Sequence, residues 1–165
     1  MKTIVFIFCS LLCFNLFAQN NEIQIKQLVK ELYNNISFNE NKAFEDSLLR
    51  TKFVDDAIMI QSNGKKSQNF KLDDYINSMQ NAQQTGAIKS FEEIGFITKV
   101  EVHGTIAHAF GSYETLILTE KDEHIKNIGI NSFSLVKEAD GWKVYALSWI
   151  DQGENYTLPD QYHLR

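Results

Sequence analysis

Apolar residues recur at helical spacing from Ile25 through Leu28, Val29, Leu32, Tyr33 and Ile36, which predicts an amphipathic helix over residues 22–35. Asn39-Glu40-Asn41 interrupts it. A second helix is predicted beyond, with Ala43, Phe44, Ser47, Leu48 and Leu49 as its inner stripe and Asn39 or Asn41 as its N-cap. The pattern then changes. Val54 to Ile60 is β-branched and apolar and stops at Ser62-Asn63-Gly64, which reads as a strand followed by a turn. A third helix is predicted from Leu72 to Gln84, with Asp73 and Asp74 in the first turn, where they complement the helix dipole, and Gly86 at its close.

Strands dominate the remainder. Phe91–Val102 and Ile106–Thr119 are joined at His103-Gly104, and Gly111 marks a bend or bulge. After the polar turn Lys121-Asp122-Glu123, Ile125–Lys137 and Trp142–Asp151 form a hairpin about Asp140-Gly141. Helices first and antiparallel strands afterwards predict an α+β fold: three N-terminal helices packed on a strongly bent antiparallel sheet. A sheet of that shape leaves a cavity beneath the helices.

Composition adds limits. The chain has 165 residues, 44% hydrophobic and 22% charged, with one proline, which suits one globular domain. Residues 1–18 differ from the rest. Lys2 is the sole charge there, Ile4 to Phe17 is almost wholly apolar, and Leu16-Phe17-Ala18 offers a small residue for cleavage before Gln19. This is the anatomy of a signal peptide, too short and wrongly flanked for a stable span. The expected organisation is a leader at 1–18, one domain at 19–152 and a tail at 153–165. The protein is expected to be secreted or periplasmic, with no membrane association after cleavage. Cys9 and Cys13 both fall in the leader, so the mature chain has no disulfide, thiol nucleophile or cysteine metal site. The residues before each cysteine, Phe8 and Leu12, do not suit a lipid anchor. The net charge of −5, one unit more negative without Lys2, and the lack of any basic run make nucleic acid an unsuitable partner.

Three segments carry a resemblance: Phe53-x-Asp55-Asp56-Ala57, Ala107-x-Ala109-x-Gly111-x-Tyr113, and Asp140-Gly141-Trp142-Lys143-Val144. In that order and spacing the chain resembles the NTF2-like superfamily, the group of SnoaL-like proteins, ketosteroid isomerases and scytalone dehydratases, over roughly Glu22 to Asp151. The resemblance implies a cone-shaped cystatin-like fold with an internal pocket, and pairing of two copies through the outer sheet face. It places Gln61 where the isomerase branch has its carboxylate base, Asn131 at that branch's oxyanion-hole acid and Tyr33 at its first-helix tyrosine. Glutamine takes no proton at neutral pH, whereas an amide still donates to an oxyanion. The isomerase reaction is therefore disfavoured.

His108 is the candidate replacement base, since imidazole titrates near neutrality and the dehydratase branch uses histidine, tyrosine and asparagine in its pocket. It shares a strand face with Phe110, Ser112 and Glu114, while small Ala107, Ala109 and Gly111 favour the other face as the one under the helices. That register turns His108 outward. His103 reads as a surface turn residue. Gln61, Tyr113, Trp149, Ser148 and Asp151 are the candidate substrate-binding residues, the last two near the expected pocket mouth. Asp55 and Asp56 are adjacent on a strand and do not form a dyad. His103, His108, His124 and His163 have no metal-ligand spacing, and no phosphate loop, nucleotide fingerprint or nucleophile elbow is present. The expected function is a cofactor-free lyase, a dehydratase acting on a small carbonyl or sugar-acid substrate. The alternative is a non-catalytic ligand-binding or accessory module. Either takes a small molecule as its partner.

Overall fold

A computed structural model describes residues 3–153 and 156–163, with side chains from residue 19 onward. The predicted leader therefore lies outside the described side chains. The first helix, α1, spans Thr3–Ile36 and continues N-terminally past the expected start at Glu22. Its inner stripe is the predicted one: Ile25, Leu28, Val29, Leu32, Tyr33 and Ile36 are all buried.

The second helix is shorter than its sequence pattern suggests. Only Asp46–Arg50 is helical (α2). Phe38 exchanges backbone hydrogen bonds with Phe91 at 2.8 and 2.9 Å, so the chain leaving α1 runs extended along a strand edge before it turns. Phe44 and Leu49 are buried, whereas Ala43, Ser47 and Leu48 are exposed.

The sheet has six strands: β1 (Phe53–Ser62), β2 (Ser67–Lys71), β3 (Ile88–His103), β4 (Ile106–Thr119), β5 (His124–Glu138) and β6 (Gly141–Asp151). Their order is β2-β1-β6-β5-β4-β3. The third helix, α3 (Leu72–Gln84), sits between β2 and β3 in the chain. Two features of the expected architecture are corrected here. Only two of the three helices precede the sheet, because a β1–β2 hairpin comes before α3. The sheet is mixed, because β1 pairs with β6 in parallel.

Strand β2 is absent from the hydrophobic pattern. Its sequence, Ser-Gln-Asn-Phe-Lys, has one half-buried residue, Phe70, and pairs only with β1. The turn chemistry is readable, however. Gly64 has φ 79°, and the Asn63 side chain accepts from the amides of Lys65 and Lys66 at 3.0 and 2.9 Å.

Registry shifts between Phe53 and Ile58, between Ile88 and Ser90, between Ile97 and Lys99, and between Ser134 and Leu135 break the ladder at four places among the described residues. Bulges of this kind increase local twist and let a sheet curl. The irregularity expected at Gly111 lies on the partner strand, at Thr98. Gly111 supplies the room: a Cβ there would stand 2.1 Å from the Phe96 carbonyl oxygen. Asp55 and Asp56 are both exposed in the irregular stretch of β1. The helix-facing side of the sheet and the helices enclose one core that includes Phe53, Met59, Ala109, Phe133, Leu135, Trp142 and Val144. Among the described residues no helix is long and apolar enough to cross a membrane.

Candidate functional site

Strand alternation decides which side chains reach the interior. On the inner face run Phe91, Glu93 and Gly95 of β3, then Gly111, Tyr113 and Thr115 of β4. Asn127, Gly129 and Asn131 of β5 and Leu147, Trp149 and Asp151 of β6 continue the rows. Where polar residues replace apolar ones in these rows, the core opens into a cavity of about 200 Å³. Leu32, Leu49, Met59, Met79 and Ile117 are among its apolar lining, and Tyr33, Gln61, Tyr75, Glu93, Tyr113 and Asp151 among its polar lining.

Five elements deliver the polar cluster. Asn131 of β5 donates from Nδ2 to the Tyr33 hydroxyl at 3.1 Å and to Glu93 Oε1 at 3.3 Å. Tyr33 therefore accepts from Asn131, and its own proton is directed elsewhere. The Tyr113 hydroxyl donates to Asp151 Oδ1 at 2.5 Å. These two tyrosines are accommodated by glycines. A Cβ on Gly95 would lie 2.8 Å from the Tyr33 ring, and one on Gly129 would lie 2.6 Å from the Tyr113 hydroxyl. Gly129 pairs with Tyr113 on one side and Asp151 on the other, so the phenol crosses the glycine to reach the carboxylate.

Burial dominates the electrostatics. It pushes the Glu93 carboxyl up to about 8; the charge of Asp151 adds to the rise, and the Asn131 hydrogen bond opposes it. Burial raises the hydroxyl of Tyr33 well above the usual phenol range, and the neighbouring Glu93 charge adds to it. The same two causes raise Tyr75. Burial raises Tyr113, helped by its bond to Asp151. The phenols stay protonated as donors, while Glu93 exchanges its proton near neutrality. Thr115 is buried, and its Oγ1 has no hydrogen-bond partner.

Of the residues singled out in the sequence, Tyr33, Asn131, Gln61, Tyr113, Trp149 and Asp151 meet at this cavity. His108 and Ser148 do not. His108 pairs with Ser134, and Ser148 with Ser132, on the outer face of the sheet. The His108 ring is exposed, with Nε2 2.8 Å from Ser132 Oγ and the ring stacked on Phe110. The role of base proposed for His108 is corrected accordingly: it has no access to the interior. Asn131 also changes role, since its amide is engaged with Tyr33 and Glu93.

Glu93 is the residue that the sequence pattern did not bring forward. A signal existed. Glu93 is an acid at a position whose strand neighbours of the same parity, Phe91 and Gly95, face the helices. Nothing in the sequence pattern sets Tyr75 or Thr115 apart either.

A larger concavity of about 890 Å³ runs beside α1 along β3 and the ends of β4 and β5. It is a surface groove, and three of its lysines are paired: Lys26 with Glu22 at 2.7 Å, Lys42 with the Asn34 side chain at 3.0 Å and Lys126 with Glu114 at 2.7 Å. The smaller cavity, between the helices and the inner face of the sheet, holds the coupled donors and acids and is the candidate site. Among the described residues no group of three His, Cys, Asp or Glu side chains is placed to hold a metal ion.

Solved structures share this architecture. A conserved protein from Planctomyces limnophilus superposes with a TM-score of 0.69 at 10% identity, over 81% of this chain and 98% of its own. An NTF2-like protein with a cystatin-like fold from Novosphingobium aromaticivorans gives 0.64 at 12% identity, over 87% and 89%. An NTF2-like superfamily protein from Salmonella enterica serovar Typhimurium gives 0.66 at 10% identity, over 83% and 94%. The chain therefore has the NTF2-like, cystatin-like fold. No protein-family model matches it, and no curated protein matches it. The fold alone does not assign chemistry, which has to come from the site.

Proposed function

We propose that the protein is a cofactor-independent lyase that removes water from a small β-hydroxy carbonyl compound, with Glu93 as its proton-transfer group. One observation carries the reading. A half-buried carboxyl that lines the cavity has its pKa pushed up to about 8 and lies in one hydrogen-bonded unit with a phenol whose proton has no acceptor among the described residues. Proton transfer is most efficient when the catalytic pKa lies near the working pH. In the carboxylate form Glu93 takes the proton from the carbon beside the carbonyl. The Tyr33 hydroxyl donates to the oxygen that becomes enolate-like. The Glu93 carboxyl then gives the proton to the departing hydroxyl, which leaves as water, and the substrate becomes an α,β-unsaturated carbonyl. Asn131 positions Tyr33 and Glu93, and Asp151, held by Tyr113, sets the charge of the site.

The lining favours the carbonyl half of the expected substrate class over sugar acids. No lysine, arginine or histidine is among the described residues around the cavity, so a substrate carboxylate would be buried without a counter-ion. The proposal keeps the expected setting outside the cytoplasm, on the strength of the leader-like residues 1–18.

The test is a panel of β-hydroxy ketones and aldehydes followed by ultraviolet absorbance of the conjugated product. Glu93→Gln is expected to lower kcat by about 100-fold or more. Turnover unchanged in Glu93→Gln would overturn the assignment. One observation favours the alternative, a carrier without chemistry: Gln61, an amide, stands at the cavity where the resemblance calls for a base. Thermal stabilisation by ligands with no product formed would support that second reading.

A further inference from the structure

Charge discriminates among the ligands this cavity can take. Its described lining has two carboxyls, Glu93 and Asp151, and no cationic side chain. The rings of Tyr33, Tyr75, Phe91, Tyr113, Phe133 and Trp149 stand around them. Carboxylates in a low-dielectric space call for a positive partner, and aromatic faces attract cations as well. A second, independent feature points the same way. Thr115 is only 6% exposed, lines the cavity, and has a hydroxyl oxygen with no partner. Its cross-strand neighbours are Glu93 and Asn127. A buried hydroxyl left unmatched is costly unless something that enters the site completes it. A primary ammonium group has several N–H donors and no acceptor, which complements a wall rich in acceptors.

We infer that the β-hydroxy carbonyl substrate of this cavity also carries an organic ammonium group on a compact apolar or aromatic body, its N–H groups directed at Asp151 and Thr115. The inference rests on Glu93 as the proton-transfer group and adds that the substrate's own charge prepares it. At rest Glu93 keeps its proton at neutral pH. The titratable groups that face it are Tyr33 from α1, Tyr75 from α3, Tyr113 from β4 and Asp151 from β6. The three phenols are pushed upward and stay neutral, so Asp151 supplies the facing negative charge. An ammonium ion offsets that charge and favours the ionised Glu93. The Glu93 O–H bond then breaks, the proton passes to solvent, and the carboxylate that remains is the base. A neutral ligand of the same shape leaves the resting acid in place.

The experiment is calorimetry on the protein with three probes of similar shape: phenethylamine, phenethyl alcohol and phenylacetate. The amine is expected to bind at least about tenfold more tightly than the alcohol, and phenylacetate not at all. In two buffers of different protonation enthalpy, amine binding at about pH 7 releases close to one proton. Release falls toward zero at about pH 9, where Glu93 is already ionised and an alkylamine still carries its charge. Glu93→Gln is expected to abolish the release, and Asp151→Asn to weaken the amine about tenfold or more. Equal affinity for amine and alcohol, tighter phenylacetate, or amine binding with no proton released would each overturn the inference, as would failure of all three probes to bind. The turnover assay judges Glu93 separately. Dehydration of neutral hydroxy ketones that is lost in Glu93→Gln, with no preference for amines, leaves the lyase standing and removes only the ammonium.

Discussion

Glu93 is an acid whose environment favours its neutral form, and its proton is linked to the stability of the fold. Its pKa rises from 4.5 to about 8 on folding. The folded state therefore holds the proton more tightly than the unfolded chain. That contribution is fully present below about 4.5 and is lost as pH rises through about 8. Glu93→Gln removes the ionisation and keeps the shape. Its stability relative to the parent is expected to improve as pH climbs from 5 toward 9, by on the order of 4 kcal/mol at the alkaline end. Parallel denaturant titrations at the two pH values measure it, and an equal difference at both would contradict a proton held by burial. Asn131 tests the same residue from outside. Its amide favours the charged form of Glu93, so Asn131→Ala is expected to move the Glu93 titration above about 8, read as an alkaline shift in the pH–rate profile. At this scale the sequence was half legible. Tyr33, Asn131, Tyr113 and Asp151 could be chosen because a resemblance or a strand end marked them. Glu93 looked like one of several acids in a charged chain, and only strand parity fixed by the neighbours shows that it faces inward.

Elements set the spacing on which these contacts depend, and glycines in β3 and β5 do it by leaving space. Gly129 lets the Tyr113 phenol reach Asp151; a methyl group there would stand 2.6 Å from the phenol oxygen and 2.3 Å from the Ile150 carbonyl oxygen. Gly129→Ala is expected to destabilise the fold by about 2–4 kcal/mol, because a backbone oxygen cannot rotate away as a side chain can. Tyr113→Phe removes only the hydroxyl and is expected to cost about 1–2 kcal/mol. A thermal melt in which Gly129→Ala falls no further than Tyr113→Phe would contradict the steric account. Long elements with strong periods were readable: the inner stripe of α1, the body of α3, and the β5–β6 hairpin about Asp140-Gly141, where Gly141 takes φ 134°. Short elements were not. α2 loses its first turn to the Asn39–Lys42 bridge and the Glu45–Asn35 backbone bond, and β2 has no alternation to read because only Phe70 is half-buried. The inward or outward sense of His108 depended on one choice of face along β4, which the run of small residues indicated.

The whole molecule presents its sheet as one inner wall and one outer face, and the outer face is unusually apolar for a surface. Ile58, Ile94 and Leu116 are 49%, 45% and 41% exposed there. Beside them lie half-buried Phe96, Phe110, Ile130 and Ile150. A sheet face with several exposed apolar side chains is one that a partner surface can cover. Among the described residues the tail meets the β1–β2 turn and the outer face of the sheet. The Tyr156 hydroxyl donates to the Gly64 carbonyl at 3.3 Å, and the Tyr162 ring packs edge-on against Phe110 with centroids 5.7 Å apart. Tyr162 thus covers part of the face through which the resemblance pairs two copies. If pairing uses this face, the tail competes with it. A chain ending at Gly153 keeps all six strands and both principal helices, and uncovers Phe110. It is expected to dimerise at concentrations about tenfold lower than the full chain, which sedimentation velocity across a dilution series measures. A charge placed on the face by Phe110→Glu should then return the shortened chain to a monomer. Equal masses for the long and short chains at every concentration would mean that Tyr162 guards no interface between copies.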